Sequence, residues 1–292
     1  MADGLVVVDK PPGMTSHDVV GRCRRIFAQR KVGHAGTLDP DATGILLVAL
    51  GRATRLMRFM AGLDKCYTTE IVLGESTSTL DDSGERTGTW DMSEVSVEQA
   101  RTAAEMLIGP ILQVPPMVSA LKVGGRRLYE LAREGIEVER AARPVTVERF
   151  DISFGAPGEH GPVLNAEICC STGTYVRVLA EDLGRLLGGG AHVRNLRRSS
   201  VGPWDLAAAV PLEAVNVESV IPMPEVLPWM EATCVGVDVE RKVRNGRPLS
   251  LEELDVKSGG PWRVLGSGGS LLAVYVADGP LKAVPEVVVE AG

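Results

Sequence analysis

The 292-residue chain predicts an α+β fold: a mixed, largely antiparallel sheet flanked by helices, with a small β-rich C-terminal module. Three observations carry that expectation. Strand-like and helix-like segments mix without a regular βαβ rhythm, which disfavours a doubly wound parallel sheet. A hydrophobic content of 45% supports a sizeable core, and with aromatics at 4% aliphatic side chains must fill it. Composition changes over 205–232, where Pro211, Pro222, Pro224 and Pro228 mark a linker-like segment, so the chain divides into 1–232 and 233–292.

The elements follow in order. "LVVV" (5–8) is a strand closed by "DKPPG". Thr15 and Asp18 form a capping box, after which Val19, Val20, Cys23, Ile26 and Phe27 share one helical face. "KVGHAGTLDPDATG" (31–44) is a bent loop, "ILLVAL" (45–50) a buried strand, and 53–63 a helix. Alternation puts Tyr67, Thr69, Ile71 and Leu73 on one side of a strand, and the polar stretch 75–92 reads as a long loop. A helix starts at a Ser96–Gln99 capping box and stops at Gly109-Pro110. Residues 121–135 give a hairpin turn and a short basic helix. Strands over 144–154 and 163–172 precede a helix over 175–188 with Val176, Leu179, Leu183 and Leu186 inside. Beyond 232, "CVGVDVERKVRNGRPL", "WRVLGSGG", "LLAVYVADG" and "AVPEVVVE" read as short strands with glycine turns.

Several function classes are disfavoured. No apolar run approaches the roughly 20 residues of a membrane helix, and the N-terminus reads as a strand, not a signal peptide. Five cysteines with no CxxC argue against a disulfide framework or zinc site and for reduced thiols in a cytoplasmic protein. His17, His34, His160 and His192 lack ligand spacing, and Asp39-Pro40-Asp41 has no second cluster to complete a metal site. Neither GxxxxGK[ST] nor GxGxxG occurs. The net charge is −7, but it is uneven: 205–292 carries 7 basic and 13 acidic residues, while "RCRRIFAQRK" (22–31) has five basic residues and no acid. "KVGGRR" (122–127) and "RNLRR" (194–198) have three basic residues each. Such clusters suit a polyanion or a solvated face.

Two stretches carry candidate chemistry. Pro40 restricts Asp39 to extended geometry, and Gly33 and Gly36 permit close approach of a ligand, so Asp39 is either a posed nucleophile or a polar turn. In "STGTYVR" (171–177), Arg177 falls in the first turn of a helix, where the dipole disfavours a cation. An anionic partner would explain it; Glu181 and Asp39 are the candidates.

Taken together, "VVVDKPPGMTSHDVV" (6–20), "GHAGTLDPDATGILLVALGRATR" (33–55), "KCYTTEIVLG" (65–74), "PPMVSALKVGGRRLYELAREG" (115–135) and "CSTGTYVRVLAEDLG" (170–184) with "GGGAHVRNLRRSSVG" (188–202) resemble the TruB family of tRNA pseudouridine synthases, in its bacterial stand-alone type. The motifs keep the family's order across about the first 200 residues. The tail, mainly through "VRNGRPL" (243–249), resembles a PUA-like RNA-binding module. The resemblance implies the pseudouridine synthase fold and conversion of a T-loop uridine of tRNA, conventionally numbered 55, without cofactor or metal. It implies Asp39, Tyr67 and Arg177 as catalytic, and His34, Tyr175, Leu196 and Lys10 as substrate-binding or beside the site. It further implies that 121–135 is a thumb-like insertion gripping the T-arm, and that the nucleotide flips out to react. Arg177 is expected to lower the Asp39 pKa. Asp41 would raise it unless it points to solvent. A second reading is a tRNA-binding folding chaperone with dispensable catalysis. Nothing in the sequence demands more than a monomer.

Overall fold

The computed structural model describes residues 2–257 and 259–290; Met1, Ser258, Ala291 and Gly292 lie outside the described residues, the last three within the predicted C-terminal module. Strand β1 (Gly4–Lys10) is buried along nearly its whole length, as a valine-rich run must be when both faces are covered. The Thr15–Asp18 capping box opens helix α1 (Ser16–Ile26), with Asp18 N donating to Thr15 Oγ1 at 3.1 Å and Thr15 N to Asp18 Oδ2 at 2.9 Å. Val19, Val20 and Cys23 face the core. Ile26 does not: it is the last helical residue and is exposed.

The stretch 31–44 is only partly a loop. Val32–Ala35 is strand β2, paired antiparallel with β3 (Thr43–Leu50), so the bend is confined to 36–42. The helix expected over 53–63 divides into a 3-10 turn at Gly51–Leu56 and a short α2 (Met57–Ala61). Strand β4 (Lys65–Leu73) buries Tyr67, Thr69, Ile71 and Leu73 in the expected alternation. The polar segment 75–92 is not a plain loop but contains a ribbon of β5 (Glu75–Thr77) and β6 (Arg86–Thr89). Its outer strand is largely exposed, so no apolar face marks it in the sequence.

Helix α3 (Val97–Glu105) starts at the Ser96–Gln99 box but stops before Gly109, because Gly109–Gln113 is strand β7 at the sheet edge, where a proline is tolerated. The 121–135 segment forms the expected hairpin, β8 (Lys122–Val123) with β9 (Arg126–Arg127), and then α4 (Leu128–Arg133). Strands β10 (Arg143–Ala156) and β11 (Val163–Cys170) precede α5 (Val176–Leu186), which buries Val176, Leu179 and Leu183 and leaves Leu186 exposed in its last turn. Strand β12 (Ala191–Val201) completes the centre.

The proline-rich stretch packs against this body. Within it, β13 (Trp204–Asp205) pairs with β12, while β14 (Val210–Pro211) and β15 (Ile221–Pro222) both pair with β1. Leu212, Val215, Met223, Val226 and Leu227 are buried. The main sheet runs β14-β1-β3-β12-β4-β11-β10-β7, antiparallel at every junction from β12 to β7 and between β1 and β3. The β3–β12 junction at its middle is parallel.

A second, five-stranded sheet forms from β16 (Glu231–Cys234), β17 (Leu249–Ser250), β18 (Trp262–Leu265), β19 (Leu271–Ala277) and β20 (Lys282–Val288). Part of the stretch expected there as strand is helix α6 (Val237–Arg244), with acids in its first turn and bases in its last, as the helix dipole favours. Leu271, Val274 and Val289 share an apolar cluster with Leu56, Met60 and Val226. Arg52 pairs with Glu290 at 2.9 Å and Arg58 with Glu286 at 2.7 Å across the same contact.

The expectation of reduced thiols throughout is corrected at one pair. Cys66 and Cys169 stand directly opposite on β4 and β11 with Cα atoms 4.1 Å apart, and they form a disulfide. They are 103 residues apart in sequence, so only the strand register brings them together. Cys23, Cys170 and Cys234 are free.

Candidate active site

The parallel β3–β12 junction positions the site. Arg198 lies beside Gly44 in register on one side and beside Tyr67 on the other. Gly44 has φ +96°, and a Cβ there would sit 2.2 Å from the Arg198 carbonyl oxygen, so only glycine allows the two backbones to meet.

The loop between β2 and β3 carries Asp39 and is pinned on both sides of it. Ser16 Oγ accepts from Leu38 N at 2.9 Å, and Leu38 itself is buried. Lys10 Nζ donates to Pro40 O at 2.8 Å and also to Pro11 O and Met14 O. All three ammonium protons are therefore engaged, and Lys10 is a wholly buried strut under the loop. Burial pushes its pKa down to about 8. Asp41 is exposed, as its placement beside Asp39 required.

Arg177, in the first turn of α5, sits 3.0 Å from Asp39 Oδ2 through Nε. Glu181, the other candidate partner, instead pairs with Arg185 at 2.6 Å. The dipole penalty on Arg177 is thus met by a carboxylate from a distant loop. Its other nitrogens donate to Thr79 O at 2.7 Å and Val118 O at 2.9 Å. The Arg177 side chain is 4% exposed and that of Asp39 39%, so the cation lies in the wall and the carboxylate at the opening.

A second carboxylate, Asp81, approaches Arg177 Nε at 3.7 Å. It comes from the β5–β6 ribbon, and its other oxygen accepts from Thr79 Oγ1 at 2.6 Å and Ser83 N at 3.1 Å. Between Thr79 and Asp81, Leu80 takes a left-handed conformation (φ 63°), which lets the Thr79 carbonyl and the Asp81 carboxylate both reach the guanidinium. The sequence reading missed Asp81; its one signal was the turn-like "DDSG" (81–84). Burial raises the Asp39 carboxyl above its ordinary range, Arg177 pulls it down, and Asp81 pushes it up. Arg177 acts in the expected direction, but the net shift is upward because burial outweighs it.

Tyr67 faces the same interior from β4 and is 9% exposed. Burial raises its phenol, and Arg198 opposes that rise. Leu196 packs against the cluster that holds Leu38 and Tyr67. It gets there through a β-bulge between Arg194 and Arg197, where Asn195 adopts φ 55°. Tyr175 caps α5 from the front, its backbone held by the Gln113 amide: Tyr175 N donates to Oε1 at 2.7 Å and Nε2 donates to Tyr175 O at 3.2 Å. His34 stands on β2, opposite Val48 and just before the Asp39 loop, with its imidazole pKa lowered by burial. Away from these residues, Glu75, Glu159 and His160 bring potential ligand atoms within 4.8 Å of one another, but Glu75 is already paired with Arg86.

Residues 24–176 match the TruB family pseudouridylate synthase N-terminal domain, and 177–221 match the tRNA pseudouridylate synthase B C-terminal domain. The chain belongs to the TruB family of pseudouridine synthases. Asp39 and Tyr67 fall within the N-terminal TruB domain, and Arg177 opens the C-terminal one. Among TruB relatives, a protein of Arthrobacter sp. (strain FB24) named tRNA pseudouridine synthase B is 45% identical over 97% of this chain and 89% of its own length. One of the same name from Mycobacteroides abscessus is 47% identical over 94% of this chain and 89% of its own. A chain in the crystal structure of a Cbf5-Nop10-Gar1 complex superposes with a TM-score of 0.75 at 24% identity, covering 99% of this chain and 85% of that one. The architecture is the pseudouridine synthase fold with a C-terminal β-sheet domain.

Proposed function

We propose that this chain isomerises uridine 55 in the T-arm loop of tRNA to pseudouridine, with Asp39 as the catalytic nucleophile. The observation that carries the reading is the Asp39–Arg177 pair at 3.0 Å, its cation buried and its carboxylate open to the cleft. The named activity of the relatives on tRNA supports the substrate. The reaction breaks the bond between ribose C1′ and uracil N1 and forms one between C1′ and C5; the C5 proton leaves and N1 gains one. No net oxidation occurs, so no redox cofactor is needed. Tyr67, beside the base, takes the C5 proton. A stacked uridine cannot offer its glycosidic bond to Asp39, so the nucleotide flips into the cleft at a cost of about a few kcal/mol. His34 fills the space it leaves, and Tyr175 and Leu196 contact the flipped nucleotide.

Residues 1–232 form the catalytic unit, with 121–135 gripping the T-arm, and 233–292 form a PUA-like RNA-binding unit. Recognition is by RNA shape and phosphate contacts, to which the basic residues of 22–31 and 122–133 contribute with Arg194 and Arg197; Arg198, the third basic residue of 194–198, is buried and makes no such contact. The protein acts as a cytoplasmic monomer. The test compares wild type with Asp39→Asn on an unmodified tRNA transcript, mapping pseudouridine at single-base resolution and measuring binding in parallel. Conversion at position 55 by wild type, and binding without conversion by the variant, is the expected result. Binding without conversion by both proteins would overturn the enzymatic reading in favour of an RNA chaperone.

A further inference from the structure

Arg198 is a buried cation to which the functional reading above gives no role. Its side chain is 1% exposed, and among the described residues no carboxylate lies within the 4.0 Å of an ion pair. An uncompensated buried cation is expensive, so its surroundings must supply what a carboxylate normally does. Three carbonyls do part of this: Nε donates to Ile45 O at 2.7 Å, Nη1 to Thr37 O at 3.3 Å and Nη2 to Gly36 O at 3.3 Å. Ile45 is on β3, and Gly36 and Thr37 belong to the loop that carries Asp39. On the other side, the β12–β4 register sets Arg198 directly opposite Tyr67, and residues so paired share a face of the sheet. The β12 strand is bulged on both sides of this pair, between Arg194 and Arg197 and between Arg198 and Ser200, so the juxtaposition is local rather than a by-product of a straight ladder.

We propose that Arg198 is a positioning residue for the isomerisation: from β12 its guanidinium holds the Asp39 loop and β3 against the strand paired with the one that carries Tyr67, and sets a fixed cation beside the phenol. The inference rests on the functional reading above, in which Tyr67 takes the C5 proton. A phenol that accepts a proton must pass through an anionic form, and a cation that cannot lose its own proton stabilises that form without competing for the substrate's. The same guanidinium opposes the upward push of burial on Tyr67. The other ionisable groups bearing on Tyr67 are Cys170 on β11 and Asp39, both of which push it up; Arg198 also helps to lower Lys65 on β4. Arg198 is therefore the one group acting on Tyr67 from its neighbours that favours the phenolate.

The test uses single-turnover conversion of tRNA carrying protium or deuterium at C5 of the target uridine, with tRNA affinity measured separately. Arg198→Met is expected to lower the rate at least about 100-fold, the scale of lost acid–base assistance. It should leave affinity within about threefold and raise the C5 deuterium isotope effect above the wild-type value, because proton removal becomes limiting. Arg198→Lys keeps the cation but not the three-carbonyl clamp, and should recover part of the rate with a smaller isotope effect; it also decides the matter if the methionine variant does not fold. A slow variant with an unchanged isotope effect, or a near-wild-type rate, would overturn the inference while leaving the enzyme reading intact. Absence of conversion by wild type would overturn both.

Discussion

In the proposed reaction Asp39 is under two opposed demands: as a nucleophile it must be ionised, and its surroundings favour the proton. Its pKa is raised in the folded chain, so above that pKa the ionised carboxylate costs stability, and the cost is relieved as pH falls through it towards the unfolded value. Asp39→Asn should therefore abolish pseudouridine formation while its melting temperature at pH 7.5 equals or exceeds that of wild type, measured by calorimetry. A clear loss of stability would mean that Arg177 outweighs burial after all. Arg177 is the opposite case. It is buried, ion-paired with Asp39 and hydrogen-bonded to Thr79 and Val118, so Arg177→Met should cost about 3 kcal/mol in chemical denaturation as well as activity, because two carboxylates lose their counter-ion and two carbonyls their donor.

At the scale of elements, the site depends on backbones that approach unusually closely. Gly44 allows β3 to touch β12, and a methyl group there would overlap the Arg198 carbonyl. Gly44→Ala should destabilise by about 3 kcal/mol or more and displace the Asp39 loop, which denaturant titration and tRNA turnover would report together. Lys65, at the start of β4, is buried with its pKa pushed down to about 8 from 10.5. Below about 8 the amine is charged in both states and the full burial cost is present; between 8 and 10.5 the unfolded chain holds more protons than the folded one, so stability rises with pH. Denaturation midpoints at pH 8 and pH 10 should show that rise in wild type and a smaller one in Lys65→Met.

At the scale of the whole molecule, the second sheet is fastened to the body of the main sheet by a shared apolar cluster and by Arg52–Glu290 and Arg58–Glu286. Truncation after Ala232 should therefore lower the melting temperature by exposing Leu56, Met60 and Val226, in addition to weakening tRNA binding. Turnover by the part that remains folded is expected to persist; its complete loss would mean that the sheet also shapes the catalytic cleft. The chain is acidic overall, so RNA affinity that still falls steeply with added salt would identify the local basic clusters as the phosphate contacts.

Local signals were legible wherever a residue's role is set by its near neighbours. The Thr15 and Ser96 capping boxes, the alternation from Tyr67 to Leu73 and the hairpin and helix over 121–135 all formed where spacing put them, because caps and periodic faces are decided within a few residues. Even the Arg177 anomaly was visible, since a cation at a helix N-terminus asks for a partner. What spacing alone could not choose was the partner: Glu181 is four residues away and Asp39 is 138 residues away, the family resemblance pointed to Asp39, and the fold brings Asp39 to Arg177. Asp81, the Cys66–Cys169 bond and the placement of Arg198 beside Tyr67 were hidden for the same reason. Each is a contact between segments far apart in the chain, fixed by strand order and register. From the sequence came the elements, the motifs and the family resemblance with the Asp39–Arg177 pair it implied; the tertiary structure alone decided the remaining meetings of Asp81, the cysteine pair and Arg198 with Tyr67, because such contacts depend on distance in space and burial, neither of which is written in spacing along the chain.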